Sequence, residues 1–274
     1  MERKGQKIII LLYTHIELKF VNLKYTKKGA QMSNKAKVMK KRKALVSGSA
    51  KLKNLRVIRE DTVEPGRWEL HDAMFSVDHM LNRVQKHAQE RQYELTLKAI
   101  RIMKKYHEGQ FRKSNSGEKI PYIIHPLMLA CHAFALGIGE DDLIATCLLH
   151  DVLEDCDATP ADLEMPPEVL EAVSLMSFNI VDGLSKEESK AVYYTEIGKN
   201  RLASIVKLLD RCNNISTMAT GFNKKKMAEY IDETEKYILP LLNTVKYGYD
   251  EYVDAAFLLK YQMLSVMETL KRTL

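Results

Sequence analysis

The chain has 274 residues, 46% of them hydrophobic and 28% charged, with a net charge of +6 at pH 7. That length and balance suit one sizeable soluble globular domain plus an appendage, or two small domains. No apolar run approaches the ~18 residues needed to span a bilayer, and the N-terminal KIIILLYTHIELKF, broken by His15, Glu17 and Lys19, makes a poor signal peptide. Cys131, Cys147, Cys156 and Cys212 form no C-x-x-C pair, which fits reduced thiols in the cytoplasm better than a disulfide framework or a zinc knuckle.

The charge is unevenly spread. Residues 1–60 carry 17 Lys and Arg against Glu2, Glu17 and Glu60, so the head holds +14 of the net +6 and leaves −8 on the rest. Within the head, Ile8–Leu12 is a strand-like run without a partner strand. From Met32 the segment MSNKAKVMKKRKALVSGSAKLK is Lys-rich with few large apolar residues. Residues 1–66 are therefore expected to be a basic, disordered extension. Its functional reading is electrostatic contact with nucleic acid or ribosomes, since clustered Lys attracts phosphate without reading sequence. The plainer reading is a solvated tail, or a start at Met32.

Past Pro65-Gly66, helical periodicity begins, and residues 67–274 read as one all-α domain. Asp72–Gln89 and Glu90–Tyr106 are two expected helices, the second with Leu95, Ala99, Ile102 and Tyr106 on one stripe. A polar loop, His107 to Pro126, ends where His125-Pro126 opens the next helix, because Pro is tolerated in a first turn. Gly137 and Gly139 stop that helix. Leu143–Asp157 then reads as a helix buried on most sides, apolar through Leu143, Ile144, Ala145, Cys147, Leu148, Leu149, Val152 and Leu153. Thr159-Pro160 and Pro166-Pro167 punctuate short helices, and Ser185-x-x-Glu188 has the spacing of a capping box. An apolar helix covers Leu202–Ile215. Two amphipathic helices finish the chain, Lys225–Tyr247 with a kink at Pro240 and Asp250–Leu270.

The chemistry concentrates on the buried helix. From His150, the positions of Asp151, Glu154 and Asp155 fall within about 140° on a helical wheel. Crowding several ionisable groups together costs several kcal/mol each without compensation, which a metal ion supplies; the bland alternative is a helix end that frays into solvent. His125 and Asp210, the latter following Leu208-Leu209 in an apolar helix, are the other candidate ligands. Two imidazoles and two carboxylates suit Mn, Fe or another borderline divalent ion better than structural zinc. Asn214 and Thr217 share the face of Asp210. Glu154, one turn after His150, is placed to move a proton to or from water or a leaving group. Each residue alone is as readily a satisfied hydrogen-bonding group; the combination points to a site.

The pattern His125, His150-Asp151 and Asp210 resembles the HD superfamily of metal-dependent phosphohydrolases. The flanks GQFRKS…GEKIPYIIHP, LLHDVLED and VKLLDRCNN are similar to the hydrolase domain of the RelA/SpoT-homologue family, which cleaves the alarmones ppGpp and pppGpp. The likeness runs from about residue 90 to 240. It implies an HD-type helical bundle with manganese held by His125, His150, Asp151 and Asp210, and water activation by the acidic pair Glu154 and Asp155. It also implies nucleotide contacts from Arg112, Lys113, Asn214 and Thr217. The implied reaction is hydrolysis of the 3′-pyrophosphate ester to GDP or GTP and pyrophosphate. Nothing resembling the family's synthetase domain follows, so a hydrolase-only enzyme is expected. The chain departs from the family's usual pattern at Cys156, at Cys212-Asn213 and in a longer loop between Arg112 and His125. Two other functions compete: an HD phosphohydrolase acting on another nucleotide or a nicotinamide dinucleotide phosphate, and a non-catalytic binding module.

Overall fold

A computed structural model of the chain describes residues 75–112, 117 and 119–274. The basic head with its Ile8–Leu12 run, residues 72–74 of the expected first helix, and Lys113 lie outside the described residues. The described part is helical apart from one small hairpin. Helices α1 (Val77–Arg91) and α2 (Glu94–Tyr106) lead into strands β1 (Phe111–Arg112) and β2 (Ile120–Pro121). The strands pair antiparallel, Phe111 opposite Pro121 and Arg112 opposite Ile120. Next come α3 (Ile124–Ala135), α4 (Asp141–Leu149), and the short α5 (Val152–Asp155) and α6 (Pro160–Leu163). Then α7 (Pro167–Met176), α8 (Lys186–Lys199) and α9 (Arg201–Thr217) precede α10 (Lys224–Glu233), α11 (Leu239–Gly248) and α12 (Val253–Lys271).

Two helices make the centre. In α4 every residue from Leu143 to Leu149 is buried, and each large aliphatic side chain removed from water contributes roughly 1.5–3 kcal/mol. Helix α9 packs against α3, α4, α7, α8, α11 and α12. Its start is fixed by Asn200, whose side-chain oxygen accepts from the Ala203 N–H. The expected capping box forms at α8, where Ser185 Oγ accepts from Glu188 N and Glu188 Oε2 accepts from Ser185 N. Gly137 takes a left-handed φ of +77° after α3, and the Gly137 and Ile138 N–H groups bond back to Phe134 and Ala133, a C-terminal cap that favours glycine.

The expected stripe of Leu95, Ala99, Ile102 and Tyr106 packs on the core, and Thr96, Ile100 and Met103 are buried beside it. Two sequence expectations need correction. Leu143–Asp157 is not one helix: α4 stops at Leu149, Asp151 adopts φ −114° and ψ 0°, and α5 restarts at Val152. The expected kink near Pro240 is a π-helical turn, Thr234–Ile238, running directly into α11. Pro240, in the first turn of α11, has no N–H to donate backwards.

Two polar devices hold this core in register. Helix α2 begins at Tyr93 without a side-chain cap of its own; Asp141 of α4 supplies it. Asp141 Oδ2 accepts from Leu95 N (3.1 Å), and Oδ1 accepts from Thr96 N and Thr96 Oγ1 (both 2.7 Å). Behind the site, Arg211 of α9 donates to Glu233 Oε1 (2.6 Å) and to the Tyr194 hydroxyl (2.8 Å), and Lys190 pairs with the other Glu233 oxygen. Burial pushes the Glu233 carboxyl up, but Lys190 and Arg211 override it and hold its pKa down to about 2.

Asp141→Ala should destabilise the protein by about 1–3 kcal/mol, since the Leu95 and Thr96 N–H groups lose the carboxylate and the buried Thr96 hydroxyl keeps only the longer contact to the residue-141 carbonyl. Asp141→Asn, which keeps one acceptor, should lose less; urea denaturation measures both. Because the folded pKa of Glu233 is depressed, its stabilisation is full above the ordinary carboxylate value and lost as pH falls toward 2. Urea midpoints measured between pH 6 and pH 3 should therefore fall more steeply for the unmodified protein than for Glu233→Gln.

Candidate active site

A cleft of about 570 Å³ opens between the hairpin, α3, the α4–α5 break, α9 and the start of α10. His125, from the first turn of α3, His150 and Asp151, at the break, and Asp210, from the middle of α9, form its floor, and all four are buried. Ligand atoms of His125, His150 and Asp151 lie within 4.8 Å of one another. Asp210 Oδ1 stands 3.2 Å from His125 Nε2 and 3.9 Å from His150 Nε2, and Asp151 Oδ2 is 3.6 Å from His150 Nε2.

The far side of each imidazole is committed. His125 Nδ1 donates to Asn213 Oδ1 (2.7 Å), and His150 Nδ1 donates to the Cys147 carbonyl (2.9 Å). With each Nδ1 spent on an acceptor, each ring turns its Nε2 into the cleft. Burial lowers the pKa of His125 despite the attraction of Asp210, so that ring stays neutral. Asp151 Oδ2 is buried without a hydrogen-bond partner. Two ring nitrogens and two carboxylates thus converge with lone pairs facing one another, an arrangement that repels itself unless a cation joins it. The donor set fits a divalent metal ion.

Charge around the floor is balanced by basic groups. Asp210 is pushed up by burial, but Lys207, with Nζ 3.3 Å from Oδ2, holds it far below the usual carboxylate range. Asn214 Nδ2 donates to Asp210 Oδ1 (2.6 Å) and Arg112 donates to Asn214 Oδ1 (3.2 Å). A chain of bonds therefore ties the hairpin to the floor. Glu154 and Asp155 line the cleft from α5 and are open to solvent. Enough protein crowds Glu154 that burial raises its carboxyl pKa; Lys207 opposes, and Asp155 and Asp210 add to the rise. Asp155 Oδ2 accepts from the Tyr122 hydroxyl at 2.7 Å. Thr217 lines the cleft, its hydroxyl spent on the Asn213 carbonyl (2.9 Å).

The structure thus brings His125, His150, Asp151, Asp210, Glu154, Asp155, Arg112, Asn214 and Thr217 to one cleft; Lys113 is outside the described residues. Sequence reasoning missed several neighbours. Lys207 sits one turn before Asp210 and Asn213 one turn after, so helical spacing could have found both. Phe111, Phe222 and Lys226 also line the cleft. His107 and Tyr122 meet the site only through tertiary packing and left no local signal.

No family profile matches the chain. Curated relatives do. A GTP pyrophosphokinase of Myxococcus xanthus is 32% identical over 160 residues, 55% of this chain and 20% of its own length. Two guanosine-3′,5′-bis(diphosphate) 3′-pyrophosphohydrolases are also similar. That of Spiroplasma citri is 37% identical over 155 residues (50% of this chain, 19% of its own). That of Aquifex aeolicus is 32% identical over 176 residues (60% and 23%). The chain spans about a fifth of the length of these relatives. A solved structure of a metazoan ortholog of SpoT, reported to hydrolyse ppGpp, shares the fold. It has a TM-score of 0.51 at 20% identity, over 64% of this chain and 95% of that one. The likeness to the RelA/SpoT-homologue family drawn from the motifs is borne out by these relatives.

Proposed function

We propose that this chain hydrolyses the 3′-pyrophosphate of guanosine alarmones, ppGpp and pppGpp, to GDP or GTP and pyrophosphate, with manganese as the resident ion. One observation carries the reading: lone pairs of two imidazoles and two buried carboxylates converge at the floor of a cleft whose walls carry Arg112, Lys207 and Lys226. The relatives named for this hydrolysis support the choice of substrate.

In this reading His125, His150, Asp151 and Asp210 hold the ion. A divalent ion in such a donor set supplies Lewis acidity toward a phosphoryl oxygen and acidifies water. The protein side of the reaction falls to the cleft walls. Glu154 takes the proton from the attacking water, and its raised pKa makes it a stronger base than an ordinary surface carboxylate. Asp155, steadied by the Tyr122 hydroxyl, keeps a second acceptor beside it. As water adds to phosphorus and the P–O3′ bond lengthens, negative charge develops on the ribose 3′ oxygen, which takes up a proton and leaves as the 3′-hydroxyl of GDP or GTP. Arg112, Lys113, Lys207 and Lys226 meanwhile hold the phosphate oxygens of the pyrophosphoryl group. Asn214, fixed between Arg112 and Asp210, and Thr217 orient the nucleotide.

The test is a panel of nucleotides incubated with the full chain and Mn2+. Pyrophosphate should appear from ppGpp and pppGpp; release from another nucleotide and not from these would overturn the substrate assignment. Glu154→Gln should lower turnover about 10²-fold or more while retaining the metal, since general base catalysis contributes 10²–10⁴-fold. His150→Ala should lose both metal and turnover. A His150→Ala protein that still turns over would sink the metal reading.

A further inference from the structure

His107 is buried beside the site, its side chain 0% exposed, and the reaction above gives it no task. Its Nε2 lies 3.2 Å from Asp151 Oδ1, and its Nδ1 lies 2.8 Å from Gln110 Oε1. A carboxylate only accepts, so Nε2 carries the proton and donates it. That bond engages Oδ1 of Asp151. The other oxygen, Oδ2, is the one left without a partner, 3.6 Å from His150 Nε2. The His107 ring is also stacked on Tyr122, with centroids 4.7 Å apart and planes at 27°, and the Tyr122 hydroxyl bonds Asp155.

We propose that His107 is a positioning residue for the metal centre: by donating to Asp151 Oδ1 it fixes Oδ2 as the oxygen presented beside His125 and His150. The Gln110 contact and the stack on Tyr122 stop the ring from rotating, so the carboxylate plane is held at a defined angle. Through Tyr122 the same stack couples Asp151 to Asp155. An outer hydrogen bond of this kind orients a carboxylate ligand before the ion arrives and spares the ordering cost at binding. The inference rests on the floor being a divalent-metal site.

The probe is Co2+, titrated into the full chain against a competing chelator, with its visible absorption bands reporting the coordination geometry. His107→Phe keeps the ring volume and the stack but has no donor; it should bind Co2+ about 10–100-fold more weakly and shift the bands. His107→Gln gives up the stack but has an N–H able to donate to Asp151, and it should recover most of the affinity. His107→Asn, polar but a methylene shorter, should show the loss as well, so misfolding of the Phe variant would not remove the test. The opposite order, with His107→Phe binding like the unmodified chain and His107→Gln impaired, would mean that the ring matters only as packing and would overturn the proposal. So would unchanged affinity and bands in all three. If the unmodified chain takes up no Co2+, this inference falls together with the metal reading. Co2+ binding without pyrophosphate release would sink the alarmone assignment alone, and the variant titrations would still judge His107.

Discussion

The structure depends on compensating two carboxylates placed among apolar helices. Asp151 and Asp210 are each under a tenth exposed, and an uncompensated charge at such depth costs several kcal/mol, a large share of a domain's net stability. Donors from three side chains are arranged against that cost. Lys207 and Asn214 reach Asp210, and His107 reaches Asp151. The inner faces of His125 and His150 are turned toward both carboxylates because their outer nitrogens are already spoken for. Only Asp151 Oδ2 is left bare among these oxygens, and with Asp210 Oδ1 it faces the imidazole Nε2 atoms.

Helix α9 makes this arrangement rigid by serving two layers with consecutive residues. Asp210 faces α3 and the α4–α5 break, while Arg211 enters an ionic layer with Glu233 and Tyr194. The Arg211 guanidinium also lies 4.0 Å from the Tyr230 ring centroid, a cation–π contact strengthened by the absence of water. The helix therefore has little freedom to rotate about its axis. Any rotation that moved Asp210 out of the floor would also pull Arg211 from its acceptors.

Much of this was legible from residue patterns, and the exceptions have a common cause. The capping box at Ser185 and Glu188 and the extent of α9 follow from local periodicity, whereas the four candidate ligands His125, His150, Asp151 and Asp210, as far as 85 residues apart, were marked by residue chemistry and by the motif they share with a family. The hydrogen-bonded neighbours of those four groups were harder. Asp151 and His107 are 44 residues apart, and Tyr122 and Asp155 are 33 apart; no local pattern marks such pairs. Asp141, at the first position of α4, caps a different helix from its own because α2 and α4 run side by side. Lys113 and the basic head stay with the sequence, outside the described residues.

The break between α4 and α5 was the least expected feature, for LLHDVLED contains no Gly or Pro to signal it. Geometry explains why it is there. On a continuous helix, adjacent side chains diverge by about 100°, so His150 and Asp151 could not both face one point. At φ −114° and ψ 0°, Asp151 leaves the helical range and its carboxylate swings to within 3.6 Å of the neighbouring imidazole. The departure sacrifices regular helical hydrogen bonding for one turn, yet Asp151 O still accepts from Glu154 N and Asp155 N. These bonds restart the helix as α5 and carry Glu154 and Asp155 to the cleft wall. A single backbone departure thus converts two adjacent residues into a convergent pair and sets the acidic pair beside them.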